Sequence, residues 1–289
     1  MKVGFVSIFG KPNAGKSTLL NALLGEKLAI VSPKVQTTRH RIKGIYTTPD
    51  AQIIFSDTPG IIQPQYKLHE RMMGAVKAAL EDADAALLLL DINEDWMEAD
   101  ELFQTLKLKV PAIVVINKTE TVPAKTGAEA VRFFSDKKYT KQVVAISALK
   151  VSGIPELLQA ITNLLPEGEP FYADDELTDL SERFFVSEII REKMYQLFEQ
   201  EIPYQSTVVV NEFKQRTGLV KIGASVIVQR ESQKNIIIGS GGKSIKQLGT
   251  LARTDIEKFI GQKVFLELFV KVRPKWRDND LLLREYGYQ

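Results

Sequence analysis

The stretch Gly10-Lys11-Pro12-Asn13-Ala14-Gly15-Lys16-Ser17 spaces two glycines, a lysine and a hydroxyl as GxxxxGK[ST], directly after the apolar run Val3–Phe9 and at the start of a helical-period segment, Lys16–Leu24. A loop of this kind turns successive backbone N–H groups and the positive end of a helix toward phosphate oxygens. Lys16 then reaches the terminal phosphates and the Ser17 hydroxyl can bind Mg2+, so residues 10–18, through Thr18, are expected to hold a nucleoside triphosphate. A second apolar run, Ile53–Ser56, ends at Asp57-Thr58-Pro59-Gly60. That ending sets a carboxylate and then a glycine N–H at the carboxyl edge of a sheet, where open α/β sheets bind ligands, and Asp57 is expected to hold Mg2+ through water. Two more polar sets follow apolar runs: Asn117-Lys118-Thr119-Glu120 after Ala112–Ile116, and Ser147-Ala148-Leu149 after Val143–Ile146.

The elements that position these groups alternate. From Lys2 to about Leu165, short apolar runs are separated by helical stretches near Lys16–Leu24, Leu68–Glu81, Trp96–Leu106, Ala128–Ser135 and Ile154–Leu164. This is the pattern of an α/β domain with a doubly wound, mostly parallel sheet. Ile42–Thr47 and Ile53–Ser56 follow each other across Thr-Pro-Asp-Ala-Gln, so a hairpin makes one strand antiparallel. The acidic, proline-bearing stretch Pro166–Asp179 lacks a period and reads as a boundary. The expected division is a domain over 1–168, a linker over 169–180 and a second domain over 181–289. The second part reads α-β-β-α-β: a helical stretch over Ser181–Glu201, strands Thr207–Phe213 and Val220–Val228, a glycine cluster opening a helix to Phe259, and a strand Val264–Val272. A short helix fits before the glycines.

Composition excludes several chemistries. The 289 residues contain no cysteine, which rules out disulfides, Cys-ligated zinc and thiolate catalysis and suits a reducing cytoplasm. His40 and His69 are the only imidazoles, too few for a His-rich metal site. No run approaches the ~18 apolar residues of a membrane-spanning helix, and the N-terminus is poor as a signal peptide. Residues 1–180 carry 20 basic and 23 acidic side chains, residues 181–289 carry 18 and 13, so the overall +2 hides a basic C-terminal third suited to a polyanion. The acidic stripe Glu94, Asp95, Glu98, Asp100 and Glu101 reads as a solvated helix face rather than a metal site. Phe133-Phe134 and Phe184-Phe185 read as core or domain-contact residues rather than a base-stacking platform.

The set of motifs in the first part resembles the Ras-like GTPase superfamily, whose base-reading motif is NKxD and whose last motif is an SA-containing loop. The resemblance implies GTP and GDP as ligands, with Glu120 pairing with guanine, the Lys118 stem packed on the base, and the backbone of Ser147, Ala148 and Leu149 against the guanine oxygen. Glu120 departs from the family's Asp; its extra CH2 keeps both acceptor oxygens and shifts their reach. In Gln36-Thr37-Thr38-Arg39-His40 the resemblance implies a switch threonine on Mg2+, with Thr38 first and Thr37 second. The Mg2+ set is then Ser17, Thr38 and Asp57, and the groups acting on the scissile bond are Lys16, Thr38, Asp57, Gly60 and Asn13. Ile61 stands where many members carry a glutamine, which places the chain in the branch with a hydrophobic residue there. In some of that branch a residue matching Asn13 helps hold K+; read alone, Asn13 is a turn residue.

Ile238-Gly239-Ser240-Gly241-Gly242-Lys243-Ser244-Ile245 matches the KH motif IGxxGxxI. Its glycines let backbone approach a sugar-phosphate chain, Lys234, Lys243 and Lys246 can meet phosphates, and Ile238 and Ile245 are expected to seat the loop on the core. The element order looks like an α+β type II KH domain. A Ras-like GTPase followed by such a domain resembles the Era family over nearly the whole chain. Further strings support this: QTTRHRI, Thr178-Asp179 with Arg183-Phe184, Glu188-Ile-Ile-Arg-Glu-Lys193, Pro203-Tyr204, and Lys271-Val-Arg-Pro-Lys-Trp276. The resemblance implies a monomeric, slowly hydrolysing GTPase that binds the 3′ end of 16S rRNA and acts in assembly of the 30S ribosomal subunit. It also implies a cytoplasmic location, in some members peripheral at the inner membrane face. Two other readings stay open: an RNA-binding nucleotide switch with negligible turnover, and a GTPase of tRNA modification.

Overall fold

The computed structural model describes residues 1–32, 34 and 37–288. Gln36, within the QTTRHRI string, lies outside the described residues. The chain forms two compact units, one of Met1–Gln63 and Met72–Asp179, the other of Pro64–Arg71 and the chain from Leu180 on.

In the first unit the strands are β1 (Lys2–Phe9), β2 (Ile42–Thr47), β3 (Ala51–Asp57), β4 (Ala85–Asp91), β5 (Ala112–Asn117) and β6 (Gln142–Ala145), in the order β2-β3-β1-β4-β5-β6. All neighbours are parallel except the β2–β3 hairpin. The central strands are buried on both faces, which is why they read as continuous apolar runs such as Leu87–Leu90. The unit's helices are α1 (Lys16–Leu24), most of α2 (Lys67–Asp82), α3 (Trp96–Thr105), α4 (Ala124–Ser135) and α5 (Ile154–Leu164). Helix α4 starts four residues before the expected Ala128, because Pro123 at its N-cap has the fixed φ that begins a helix and Gly127 lies within it.

The carboxyl ends of β1, β3, β5 and β6 lead into the four motifs, so parallel register brings sequence-distant groups to one edge. Residues 169–179 run beside β2 and β3 of this unit: the Gln52 side chain accepts from Phe171 N (2.7 Å) and Tyr172 N (3.0 Å), and Ile45 N donates to Leu177 O (2.9 Å). Thr178 Oγ1 donates to Lys43 O at 2.7 Å. The acidic stretch without a period is therefore ordered by a β3 side chain and the β2 backbone, which periodicity does not report.

The second unit has α6 (Glu182–Leu197), β7 (Thr207–Arg216), β8 (Leu219–Val228), α7 (Glu231–Ile238), α8 (Lys243–Ile260), β9 (Lys263–Val272) and α9 (Asp280–Glu285). Its sheet has the order β7-β8-β9, antiparallel then parallel. Val186, Ile190 and Met194 of α6 and Leu248, Ala252 and Ile256 of α8 cover one sheet face at helical spacing. The sequence reading lacked α9. The C-terminal segment is anchored by Trp276, fully buried with Nε1 donating to Gln205 O (3.0 Å), and by the Tyr288–Thr207 hydroxyl pair (3.0 Å). Residues 64–71 belong to this unit through Arg277 over the Tyr66 ring (4.2 Å) and Arg71 Nη2 to Asp280 (3.0 Å).

Candidate functional site

In the first unit a cavity of about 420 Å3 is lined by the glycine-rich loop, Thr37, Thr38, Gly60, Asn117, Lys118, Glu120 and Leu149. The four motifs thus meet at one place. Gly15 has φ of +100° and a Cβ there would stand 2.3 Å from Asn117 Nδ2, so no side chain fits. Asn117, 2% exposed, donates to Ala14 O (2.9 Å) and accepts from Ala148 N (3.0 Å), fastening the phosphate loop to the SA loop.

Lys16 is nearly buried, its ammonium donating to Lys11 O (2.8 Å) and Gly10 O (3.2 Å). Burial lowers its pKa to about 8, with Asp57 and Glu94 pulling the other way. Asp57 is fully buried, and that burial raises its pKa against the hydrogen bonds from Ser17 and Thr38 and the charge of Lys16. Ser17 Oγ donates to Asp57 Oδ2 at 2.6 Å, Thr38 Oγ1 donates to the same oxygen at 3.2 Å, and the two hydroxyls are 2.8 Å apart. Asp57 Oδ1 is buried with no hydrogen-bond partner among the described residues. A buried carboxylate oxygen without a donor beside two hydroxyl oxygens is the donor set of a hard cation, so these residues fit Mg2+. The fold brings Thr38 here, whereas Thr37 Oγ1 donates to Lys34 O at 2.7 Å.

Other expected residues sit differently. Thr58 is buried and its hydroxyl donates to Ile8 O (2.7 Å), away from the cavity, which makes its side chain a brace between β3 and β1. Asn13 lines the cavity with φ of 65°, a left-handed conformation that Asn tolerates. Ile61 donates its N–H to Gly10 O (3.3 Å) and packs its side chain against the β4–β5 core. The acidic stripe is not a solvated face throughout. Asp95 caps α3, accepting from Met97 N (2.8 Å), and Asp100 is 4% exposed, held by Lys137 (2.5 Å) and the Tyr139 hydroxyl (2.7 Å). Helical period turns Asp100 inward, where partners from the α4–β6 connection meet it.

Sequence reasoning missed Asp91. It ends β4, lies opposite Asn117 in the β4–β5 register, and takes the Lys118 ammonium at 2.6 Å. Its one available signal was its place after an apolar strand, which it shares with Asp57.

In the second unit, Ser240–Gly242 is a short 3-10 turn between α7 and α8. Gly241 and Gly242 have φ of +60° and +77° with open space where a Cβ would be, so the turn presents bare backbone outward. Lys243 and Lys246 are exposed; among the described residues no carboxylate lies within ion-pair distance of either. Lys234 is 3.7 Å from Glu231. The residue that seats the loop is Ile237, fully buried, while Ile238 and Ile245 are only half-buried. The α7 register turns Ile237 inward, and the motif pattern could not show that.

Family models support both units: one described as 50S ribosome-binding GTPase matches residues 5–118, and one described as KH domain matches residues 201–277. The chain is 45% identical to GTPase Era of Geobacter sp. (strain M21), covering 99% of this chain and 97% of that protein. It is 46% identical to GTPase Era of Caldanaerobacter subterraneus subsp. tengcongensis, with 99% and 98% covered. The chain belongs to the Era family of GTPases. Two solved Era structures superpose over the whole chain. One is an Aquifex aeolicus Era variant bound to GDP·AlF4−, with TM-score 0.96, 42% identity, and 100% and 99% of the two chains covered. The other is Era with MgGDPNP and nucleotides 1506–1542 of 16S ribosomal RNA, with TM-score 0.96, 43% identity and the same coverage.

Proposed function

We propose that the protein binds and hydrolyses GTP, and that its nucleotide state governs binding of the 3′ end of 16S rRNA during assembly of the 30S subunit. The observation that carries this reading is the convergence on one cavity of Lys16, the Ser17–Thr38–Asp57 cluster and Asn117–Glu120. Residues 1–168 act as the GTPase, 169–180 as the connection and 181–289 as the RNA-binding domain.

Loop N–H groups of residues 10–18 and the Lys16 ammonium meet the phosphates, and Gly60 N–H supports the terminal one. Ser17, Thr38 and Asp57 hold Mg2+, which neutralises charge building on the phosphate oxygens. Glu120 reads guanine's paired N–H groups, Lys118 covers the ring, and the Ser147–Leu149 backbone faces its oxygen. The Ile61 side chain has no polar atom and cannot orient water, so hydrolysis is slow and leans on other groups. Asn13 assists by holding K+. In the second unit the Gly239–Gly242 turn meets the RNA backbone, with Lys234, Lys243 and Lys246 on phosphates.

The support for RNA is the likeness to an Era crystallised with that rRNA segment, together with Lys243 and Lys246, which have no carboxylate in ion-pair reach among the described residues, beside a bare backbone turn. No helix among the described residues is long and apolar enough to cross a membrane. We place the protein in the cytoplasm as a monomer, with any attachment to the inner membrane face peripheral. Phosphate release from GTP, compared with ATP and with Lys16→Ala, tests the enzyme: wild type turns over GTP alone, and Lys16→Ala loses it. Ile61 favours one second reading, a switch without useful turnover, which the same assay identifies by GTP binding with no phosphate release. Exchanging KCl for NaCl tests the K+ role; an unchanged rate leaves Asn13 as a turn residue.

A further inference from the structure

We propose that Asp91 is a positioning residue for guanine recognition, fixing Lys118 at both its side-chain tip and its backbone so that the lysine stem is pre-set as one wall of the base pocket. This inference rests on the reading of the cavity as a guanine nucleotide site.

Lys118 lines the cavity and Asp91 does not, so Asp91 can act on a ligand only through its neighbours. Asp91 Oδ2 takes the Lys118 ammonium at 2.6 Å. Its other oxygen accepts from Asn93 N (3.0 Å) and Asn93 Nδ2 (2.8 Å). The same Asn93 amide donates to Thr121 Oγ1 (2.9 Å), and that hydroxyl donates to Lys118 O (2.7 Å). One carboxylate therefore closes a ring around Lys118, with its tip held directly and its carbonyl held through Asn93 and Thr121.

The ring has a job in the backbone. Lys118 has φ of 63° and ψ of 32°, a left-handed conformation that an L side chain rarely adopts and that persists only where surroundings enforce it. This bend is what lets Asn117 point back to Ala14 and Ala148 while Glu120 faces the cavity. The ladder supplies the placement, because Asp91 and Asn117 are register partners and Ile92 N donates to Asn117 O at 3.0 Å. The side chains are partly shielded, 33% exposed for Lys118 and 17% for Asp91, so the pair is less screened than a surface pair. The Lys118 ammonium beside it, together with the Asn93 hydrogen bonds, outweighs burial and keeps the Asp91 carboxyl below the usual carboxylate range. The charged form that holds the ammonium is thereby favoured.

The test is the dissociation rate of a fluorescent GDP from the full chain, with KM and kcat for GTP. Asp91→Asn keeps an acceptor for Asn93 and removes the charge that holds the ammonium. GDP release should quicken about tenfold, within the coupling range of contacting charged groups, and KM should rise with kcat at saturation little changed. Asp91→Glu should restore slow release. In a Lys118→Met background, Asp91→Asn should add less than about twofold, because the group it acts through is gone. If the asparagine variant fails to fold, Asp91→Ser gives the same readout. Unchanged GDP release, or an undiminished further loss in the Lys118→Met background, overturns the role of Asp91. Failure of wild type to prefer GDP over ADP instead overturns the guanine reading beneath it.

Discussion

Ser17 and Asp57, forty residues apart in the chain, are joined by a 2.6 Å hydrogen bond that leaves the other Asp57 oxygen buried and without a partner among the described residues. The phosphate loop and the end of β3 thus converge on a cation-binding geometry. Ser17→Ala removes one oxygen and unties Asp57. Mg2+ should then no longer tighten GTP binding, a loss of about tenfold or more relative to wild type, while GDP binding in EDTA stays close to it. A Mg2+ titration checks this; an undiminished Mg2+ effect in the variant counts against the assignment.

The Lys16 ammonium, brought down to about 8 by burial, predicts a pH dependence. It must be charged to meet phosphates. The free protein is protonated there below pH 8 and increasingly neutral above it, so binding at high pH requires proton uptake and affinity falls as pH rises. GDP should bind roughly tenfold more weakly at pH 9 than at pH 7. Calorimetry in buffers of different ionisation enthalpy reads the uptake directly; flat affinity from pH 7 to 9 contradicts it.

Glu120 stands exposed at the cavity rim with its carboxylate available. Adenine would offer it one misplaced amine and a lone pair, leaving the charge unmatched, so ATP should bind roughly 10⁴-fold more weakly than GTP. Glu120→Asp should retain or improve GTP binding and Glu120→Ala should weaken it. Equal affinities for GTP and ATP in wild type would sink the guanine assignment.

In the proposed guanine site Asn117 is as much a structural clamp as a base-side residue. Asn117→Ala leaves Ala14 O and Ala148 N buried without their partner, at about 1–3 kcal/mol each. Denaturant unfolding should show that loss of stability together with failed nucleotide binding. Full stability with lost binding would instead give Asn117 a purely ligand-facing role.

In the KH turn, Gly241 has φ of +60°, so aspartate there would strain the backbone as well as repel RNA. Ser240→Asp with Lys243→Glu avoids that. RNA affinity should fall more than about tenfold at low salt while GTP binding persists, and Lys243→Ala alone should flatten the log-affinity against log-salt slope by about 0.7. A double variant that binds RNA at wild-type strength, while folded, places the RNA surface elsewhere.

How much of this was legible in the sequence depended on how local each feature is. The phosphate loop is written in eight consecutive residues between a strand and a helix, and β-strand ends carry Asp57 and Asn117 in plain view. The choice between Thr37 and Thr38 needed the fold, because adjacent residues differ only in which side chain the backbone turns toward Ser17. Asp91 stayed hidden because its meaning lies in its ladder partner Asn117, across a helix and two loops. Ile237 and Asp100 turned out buried because helix register, not motif spacing, sets which side faces the core. The order of residues 169–179 rests on Gln52, a polar side chain among the apolar residues of β3, and on backbone groups of β2, none of which periodicity reports.

The central claim is that nucleotide state governs RNA binding, and one titration addresses it most directly. The affinity of the full chain for a labelled RNA of the 16S 3′ end is measured with MgGDPNP and again with MgGDP in the same buffer and salt. Binding should be at least about tenfold tighter with MgGDPNP, a coupling of roughly 1.4 kcal/mol. Equal affinity in the two nucleotide states would contradict the account.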